Sequence, residues 1–181
     1  MGAATAAAQG TNGRRIGLVT TRHTKGQAKF DGARGLAEWI TIYKAYNAIF
    51  KLTELALLPH GLSLPQLYLL TVLKNGDEPI TTGEIGRAMV KASQTITGLV
   101  DRLEEPGMVE RVFDRRDRRK TWVHLTEKGE SKFAEAFPAA NRLAEELSAV
   151  LTDQELKDLQ VTLEKLRSAA MDRLAGALGR L

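Results

Sequence analysis

The chain contains no cysteine. That excludes disulfides, thiolate metal sites, a cysteine nucleophile and thiol-based redox sensing, and it fits a reducing cytoplasm, the expected location. Its three histidines, His23, His60 and His124, lie far apart in sequence. They lack the spacing that metal ligands need, so no metal site is expected. There is no phosphate loop and no nucleophile elbow, and the carboxylates scatter along helix surfaces without a pair set for acid–base work. No enzymatic activity, catalytic residue or cofactor is therefore expected. No run of about 18 apolar residues exists, so neither a transmembrane helix nor a membrane partner is expected. Residues 1–30 also lack the apolar stretch of a signal peptide.

What is present is one domain's worth of globular composition, or a small domain with an oligomerisation element. The net charge of +4 is modest, but its distribution is uneven. Arg111, Arg115, Arg116, Arg118, Arg119 and Lys120 face only Asp114 and Asp117, so this window alone carries +4. Residues 1–30 add five cations and no acid, and the remainder carries −5. Positive charge gathered in two places favours a local polyanion contact. Residues 1–30 have no periodicity and read as a mobile, solvated tail. A basic arm lying on DNA and a transit peptide are the alternatives.

Asp31 to Leu58 reads as a long helix with two apolar stripes, Leu36, Trp39, Ile40, Tyr43, Phe50 and Leu57 on one and Ile42, Ile49, Leu52 and Ala56 on the other. Two stripes need two partners, and another subunit is one such partner. Pro59-His60-Gly61 breaks the helix and leaves His60 exposed in a turn. Ser63 and Gln66 form a capping box for the next helix, with Leu67, Leu70 and Leu73 inward, and Asn75-Gly76 ends it. Thr81 to Glu84 is a second box, followed by inward Ile85, Ala88 and Met89. Val90-Lys91-Ala92 is a turn, and Ser93 is placed to cap a helix with the stripe Ile96, Leu99, Val100 and Leu103. After Pro106-Gly107, Met108–Phe113 and Thr121–Leu125 read as strands, with His124 structural in the second. Thr126 caps a helix with Phe133, Phe137, Leu143 and Leu147 inward and a kink at Pro138. Thr152 to Glu155 opens a last helix with a seam of Leu156, Leu159, Leu163, Leu166 and Ala170.

The fold class is thus mainly α with a small β-hairpin wing, a winged helix-turn-helix. With its apolar stripe inward, the helix from Ser93 presents Gln94, Thr97, Gly98 and Asp101, with Ser93, Thr95 and Arg102 at the margins. Short polar groups near a helix N-terminus suit a major groove, where Gln pairs with adenine edges and Thr meets thymine methyls. Five cations within Arg115–Lys120 repel one another unless an anion approaches. Asp117 is placed to hold Arg119 by a bidentate pair, and a fixed arginine at a hairpin tip suits a minor groove. Expected DNA contacts are Ser93, Gln94, Thr95, Thr97, Gly98, Arg102, Arg115, Arg116, Asp117, Arg118, Arg119 and Lys120.

The segments TTGEIGRAMVKASQTITGLVDRLEEPGMVERV and DRRDRRKTWVHLTEKG resemble the multiple-antibiotic-resistance regulator (MarR) family, and GLSLPQLYLLTVL resembles its second helix. The resemblance covers about residues 31–181. It implies a homodimer whose first and last helices intertwine, with 31–60 as N-terminal dimerisation helix, 61–125 as winged helix-turn-helix and 126–181 completing the dimerisation region. It implies a recognition helix at 93–105 and a wing at 111–120, with Asp117 and Arg119 on the family's wing Asp and Arg. It implies a pocket between dimerisation helices and winged helix for a small aromatic or lipophilic effector, with Trp39, Tyr43 and Tyr68 as candidate walls and Arg111 as carboxylate partner. The long tail, the extra Arg115 and Arg116, and Pro106 and Pro138 depart from the pattern, and the lack of cysteine sets the chain outside the thiol-oxidised branch. The expected function is a ligand-responsive repressor reading a pseudo-palindromic duplex, with half-sites about 10 bp apart. Ligand binding would alter the spacing of the reading heads and release DNA. The alternative is a winged helix serving as an architectural or protein-interaction module.

Overall fold

Capping and breaking signals account for most of the element boundaries. The computed structural model describes residues 35–178 apart from 77–78, 115–116 and 118–119. The expected tail, the start of the first helix at 31–34, and Arg115, Arg116, Arg118 and Arg119 lie outside the described residues. The chain divides into two units, Met1–Trp39 and Ile40–Leu181. In the first, Gly35 sits at φ +104°, donates its N–H to Glu38 Oε2 (2.8 Å) and accepts from the Trp39 N–H (3.1 Å).

Helix α1 (Leu36–Leu57) runs into a 3-10 turn at Leu58–His60, reversed at Gly61 with φ +64°. Helix α2 (Leu64–Asn75) starts at the expected Ser63–Gln66 capping box, complete in both directions. Strand β1 (Ile80–Thr81) precedes α3 (Thr82–Met89), α4 (Ser93–Glu104), β2 (Val109–Phe113), β3 (Thr121–Leu125), α5 (Glu127–Ser148) and α6 (Asp153–Leu178). The sheet is antiparallel in the order β1-β3-β2, with Thr81 opposite Trp122 and Arg111 opposite Val123. A two-residue β1 is too short to show periodicity, and it was not expected from sequence. Thr126 caps α5 by accepting from the Gly129 N–H, and Thr152 and Glu155 form the expected box before α6. Helix α5 continues through Pro138.

The core gathers Leu67, Leu69, Leu70 and Leu73 of α2, Ile85 and Met89 of α3, and all four expected stripe residues of α4. Val109, Val123 and Ala136 close it from the sheet and α5. Each fully buried aliphatic side chain contributes about 1.5–3 kcal/mol relative to exposure. Two expectations are corrected. Ala88 is exposed, because the short α3 buries Gly86 beside Ile85 and Met89 instead. Phe137 is also exposed: the buried stripe of α5 runs through Gly129, Phe133, Ala136 and Ala140, one residue off. Leu143 and Leu147 are half-buried.

Helices α1 and α6 are a different case. Ile42, Tyr43, Tyr46, Ile49 and Leu52 of α1 are exposed, as are Leu159, Leu163 and Leu166 of α6. Only Thr53 and Leu57 of α1 are buried, at the end that meets the core. Among the described residues, no single helix is long and apolar enough to cross a membrane.

The start of α5 is locked to the strand before the wing. Thr126 N–H donates to Met108 O (3.2 Å), and a Cβ on Gly129 would lie 2.0 Å from that same carbonyl oxygen. Gly98, by contrast, has no heavy atom within 4 Å of where its Cβ would stand. Gly129→Ala is therefore expected to destabilise the fold by about 1–3 kcal/mol. Gly98→Ala, in a helix interior, should stabilise it by about 0.5–1 kcal/mol. Thermal unfolding followed by circular dichroism reads both, and equal midpoints for the two variants would contradict this packing.

Candidate nucleic-acid interface

Helices α3 and α4 are joined by the expected three-residue turn, and the backbone explains how it closes. Val90 sits in the left-handed region (φ +52°, ψ +48°). A β-branched residue there stores about 1–3 kcal/mol. Lys91 N–H donates to Gly86 O (2.9 Å) and Val90 N–H to Arg87 O (3.2 Å). A Cβ on Gly86 would press on Lys91 O at 3.2 Å, so the glycine lets turn and helix approach. At the other end of α3, Glu84 accepts from the backbone N–H and hydroxyl of Thr81. Those hydrogen bonds, assisted by Arg87 and Lys120, hold its carboxyl below the usual range.

Helix α4 buries Ile96, Leu99, Val100 and Leu103 and exposes Ser93, Gln94, Thr95, Thr97, Asp101 and Arg102. Gly98 is half-buried with open space above it. One detail departs from expectation: Ser93 is the first helical residue, not the cap. Ala92 takes the capping position in extended backbone, and its carbonyl accepts from Thr95 and Ile96 (3.0 and 3.2 Å). No side chain caps α4, so its N-terminal dipole is directed outward beside the polar face. Thr97 turns its hydroxyl back onto Ser93 O (3.1 Å).

The wing is organised by a residue that sequence reasoning did not single out. Asp114 Oδ1 accepts from the Asp117 N–H (3.0 Å), and Oδ2 accepts from the Trp122 indole N–H (3.1 Å). Asp114 N–H donates to Lys120 O, and Lys120 N–H to Asp117 O. One carboxylate thus closes the tip from inside and ties it to β3, which pairs with β1. The signal was a tryptophan eight residues after an aspartate, readable only once the hairpin register is known. Lys120 is exposed and Asp117 half-buried. The expected Asp117–Arg119 pair falls partly outside the described residues.

Trp39 and Tyr43 are exposed, and Tyr68 donates its hydroxyl to Ala88 O (3.2 Å) on α3. The Arg111 guanidinium is held by Asp101 and Glu104 of α4 (2.6 and 2.5 Å), which makes it a joint between helix and strand. A groove of about 420 Å³ lies elsewhere, between the α3–α4 turn and α6, lined by Gly86, Arg87, Val90, Lys91, Met171 and Leu174 among others. A second, of about 530 Å³, runs along α5 beside the stacked Phe133 and Phe137. His60 bonds Glu135 at 3.1 Å, tying the 3-10 turn to α5, and is only partly exposed. Among the described residues, no cluster of three or more His, Asp or Glu could hold a metal ion.

A family profile described as "MarR family" matches residues 60–120. The transcriptional regulator MhqR of Bacillus subtilis is 30% identical over 125 residues, covering 68% of this chain and 85% of MhqR. The S. aureus MepR–DNA complex shares the fold with a TM-score of 0.67 at 18% identity, over 72% of this chain and 96% of MepR. Bordetella bronchiseptica BpsR, whose DNA binding is regulated by 6-hydroxynicotinic acid, aligns with a TM-score of 0.67 at 21% identity, over 72% and 98%. The matched region holds the capped helix pair, the buried stripe of α4 and the wing just described, and this chain belongs to the MarR family of winged helix-turn-helix transcriptional regulators.

Proposed function

We propose that the chain is a homodimeric, sequence-specific DNA-binding regulator, with a repressor the preferred form. Helix α4 enters the major groove and the 111–120 wing lies on the adjacent backbone and minor groove. The observation that carries this reading is the division of α4. One face is wholly buried, and the other presents Ser93, Gln94, Thr95 and Thr97 beside an uncapped N-terminus and a hairpin whose tip holds five cations in six residues. Gln94, Thr95, Thr97, Gly98 and Arg102 face bases or their flanking phosphates. Arg115, Arg116, Arg118, Arg119 and Lys120 meet the sugar–phosphate edge. Asp117 orders the wing. MepR, solved on DNA, supports this orientation by shared fold.

The same proposal assigns residues 31–60 and 126–181 to dimerisation. Support comes from the exposed leucines of α6 and the aromatic and aliphatic face of α1, which this chain alone leaves unburied. Two reading heads then meet successive major grooves. For an effector, the groove between the α3–α4 turn and α6 replaces the expected Trp39, Tyr43, Tyr68 and Arg111 set. It is apolar at Val90, Met171 and Leu174 and cationic at Arg87 and Lys91, which suits a small aromatic acid such as the one that regulates BpsR.

Selection of random duplex DNA on the full chain tests the reading, with a specificity ratio of about 10³ or more expected over unselected DNA. Retention without sequence preference would instead favour an architectural module. On the selected duplex, Gln94→Ala should shift preference at one position per half-site by about 1–3 kcal/mol. Arg119→Ala should weaken binding uniformly and lower the salt slope by about 1. Swapped behaviour of the two variants would reverse the roles of helix and wing. Leu163→Asp should convert the dimer to monomer in sedimentation velocity while leaving helical content near that of the parent, because Leu163 is outside the core. A persistent dimer would remove α6 from the interface. Aromatic carboxylates should raise the melting temperature and weaken DNA binding, and Arg87→Ala/Lys91→Ala should abolish both effects. A panel that moves neither quantity would eliminate this groove as the effector site.

A further inference from the structure

Arg111 joins the helix pair to the hairpin by several bonds at once. It lies on β2, and its side chain is only 16% exposed despite its charge. Its backbone N–H donates to Glu104 Oε1 (3.0 Å), and its guanidinium pairs with Glu104 Oε2 (2.5 Å) and Asp101 Oδ1 (2.6 Å) and donates to Thr97 O (3.0 Å). Thr97, Asp101 and Glu104 follow one another along α4 at four- and three-residue steps, so they form one longitudinal edge of the helix. Thr97 and Asp101 also belong to the exposed face that carries Gln94. A single planar fork, with its donors in fixed directions, therefore fastens strand β2 along two turns of α4.

Two physical consequences follow. Charge-assisted bonds of this geometry are directional, so the angle and axial register between α4 and the hairpin are set together. The guanidinium also offsets carboxylate charge at an edge that faces polyanionic DNA, where uncompensated acids would oppose approach. Lys at this position has no fork and could satisfy one carboxylate at a time.

We propose that Arg111 is a positioning residue for DNA reading, fastening α4 to the wing so that helix and hairpin enter neighbouring grooves as one rigid unit. The proposal rests on the assignment of α4 and the wing to DNA. It does not place Arg111 itself on a base or phosphate, since its guanidinium is engaged by Asp101, Glu104 and the Thr97 carbonyl.

The test uses the full-length chain, a duplex selected from random DNA by the parent protein, and an unselected random duplex of equal length. The readout is the ratio of the two affinities. Arg111→Gln is expected to lower that ratio about tenfold or more, as coupled networks do, with affinity for the unselected duplex changing less than about threefold. Arg111→Lys should fall between. If Arg111→Gln does not fold, Asp101→Asn removes one leg of the fork at an exposed side chain and should lower the ratio on its own. Where Arg111→Gln does fold, adding Asp101→Asn to it should leave the ratio unchanged, because Asp101 is expected to act through Arg111. A folded Arg111→Gln protein with the parent ratio overturns the proposal, as does an Asp101→Asn protein with the parent ratio. An equal loss on both duplexes marks a merely structural role and also overturns it. If the parent protein selects no sequence, the DNA-reading assignment fails first, and that outcome is distinct from a parent that selects and a variant that still matches it.

Discussion

The structure depends on the burial of one face of α4. Ile96, Leu99, Val100 and Leu103 are spaced three and four apart and lie at or below 6% exposure, against leucines of α2 and Ile85 and Met89 of α3. Burying that face leaves no choice about the other. Gln94, Thr97 and Asp101 must project away from the core, because a helix with a 100° advance per residue cannot turn one stripe inward without turning its opposite outward. The functional surface is thus a by-product of hydrophobic patterning, and its orientation is as rigid as the core beneath it. The hinge regions that could blur it are closed locally, by Gly86 at the turn and by Gly129 against Met108.

The division between core and frame follows from the same energetics. Helices α2 to α5 and the sheet bury one another within a single chain. Helices α1 and α6 carry apolar stripes that meet little of it, and a stripe left in water forfeits the burial free energy that would offset the cost of ordering a long helix. Those helices therefore keep apolar faces that this chain alone does not cover. Met171 and Leu174 of α6 line one groove with Val90 and the first residue of α4, so the apolar side of α6 adjoins the helix pair.

Much of this was legible in the sequence, for identifiable reasons. The capping boxes at Ser63, Thr81 and Thr152 are local, since both partners lie within one turn, and all three form as read. The α4 stripe was legible because four large aliphatics at regular spacing outweigh any tertiary influence. What escaped reading was non-local or off by one. Ser93 looked like a cap because Ser favours that position, yet Ala92 takes the extended capping conformation and Ser93 is already helical. Phe137 looked inward because large aromatics usually are, but the face of α5 is set by small residues, with Gly129 and Ala136 permitting the close approach. The roles of Asp114 and Arg111 depend on strand register and on the approach of β2 to α4, which no single-chain periodicity encodes.

The wing shows how such non-local bonds serve charge. Its tip concentrates cations that repel one another, and a loop of that kind would spread in water unless its backbone were held from within. Asp114 does this by accepting from the Asp117 N–H and the Trp122 indole at once, which ties the loop backbone to β3. Trp122 in turn lies opposite Thr81, the residue that caps α3. The hairpin tip, the sheet and the first helix of the DNA-reading pair are therefore linked through two residues, one acidic and one aromatic. Arg111 completes the circuit from β2 back to α4. Acids at Asp114, Asp101 and Glu104 thus join the hairpin to its own strand and to α4, each by accepting from donors on β3, the loop backbone or Arg111.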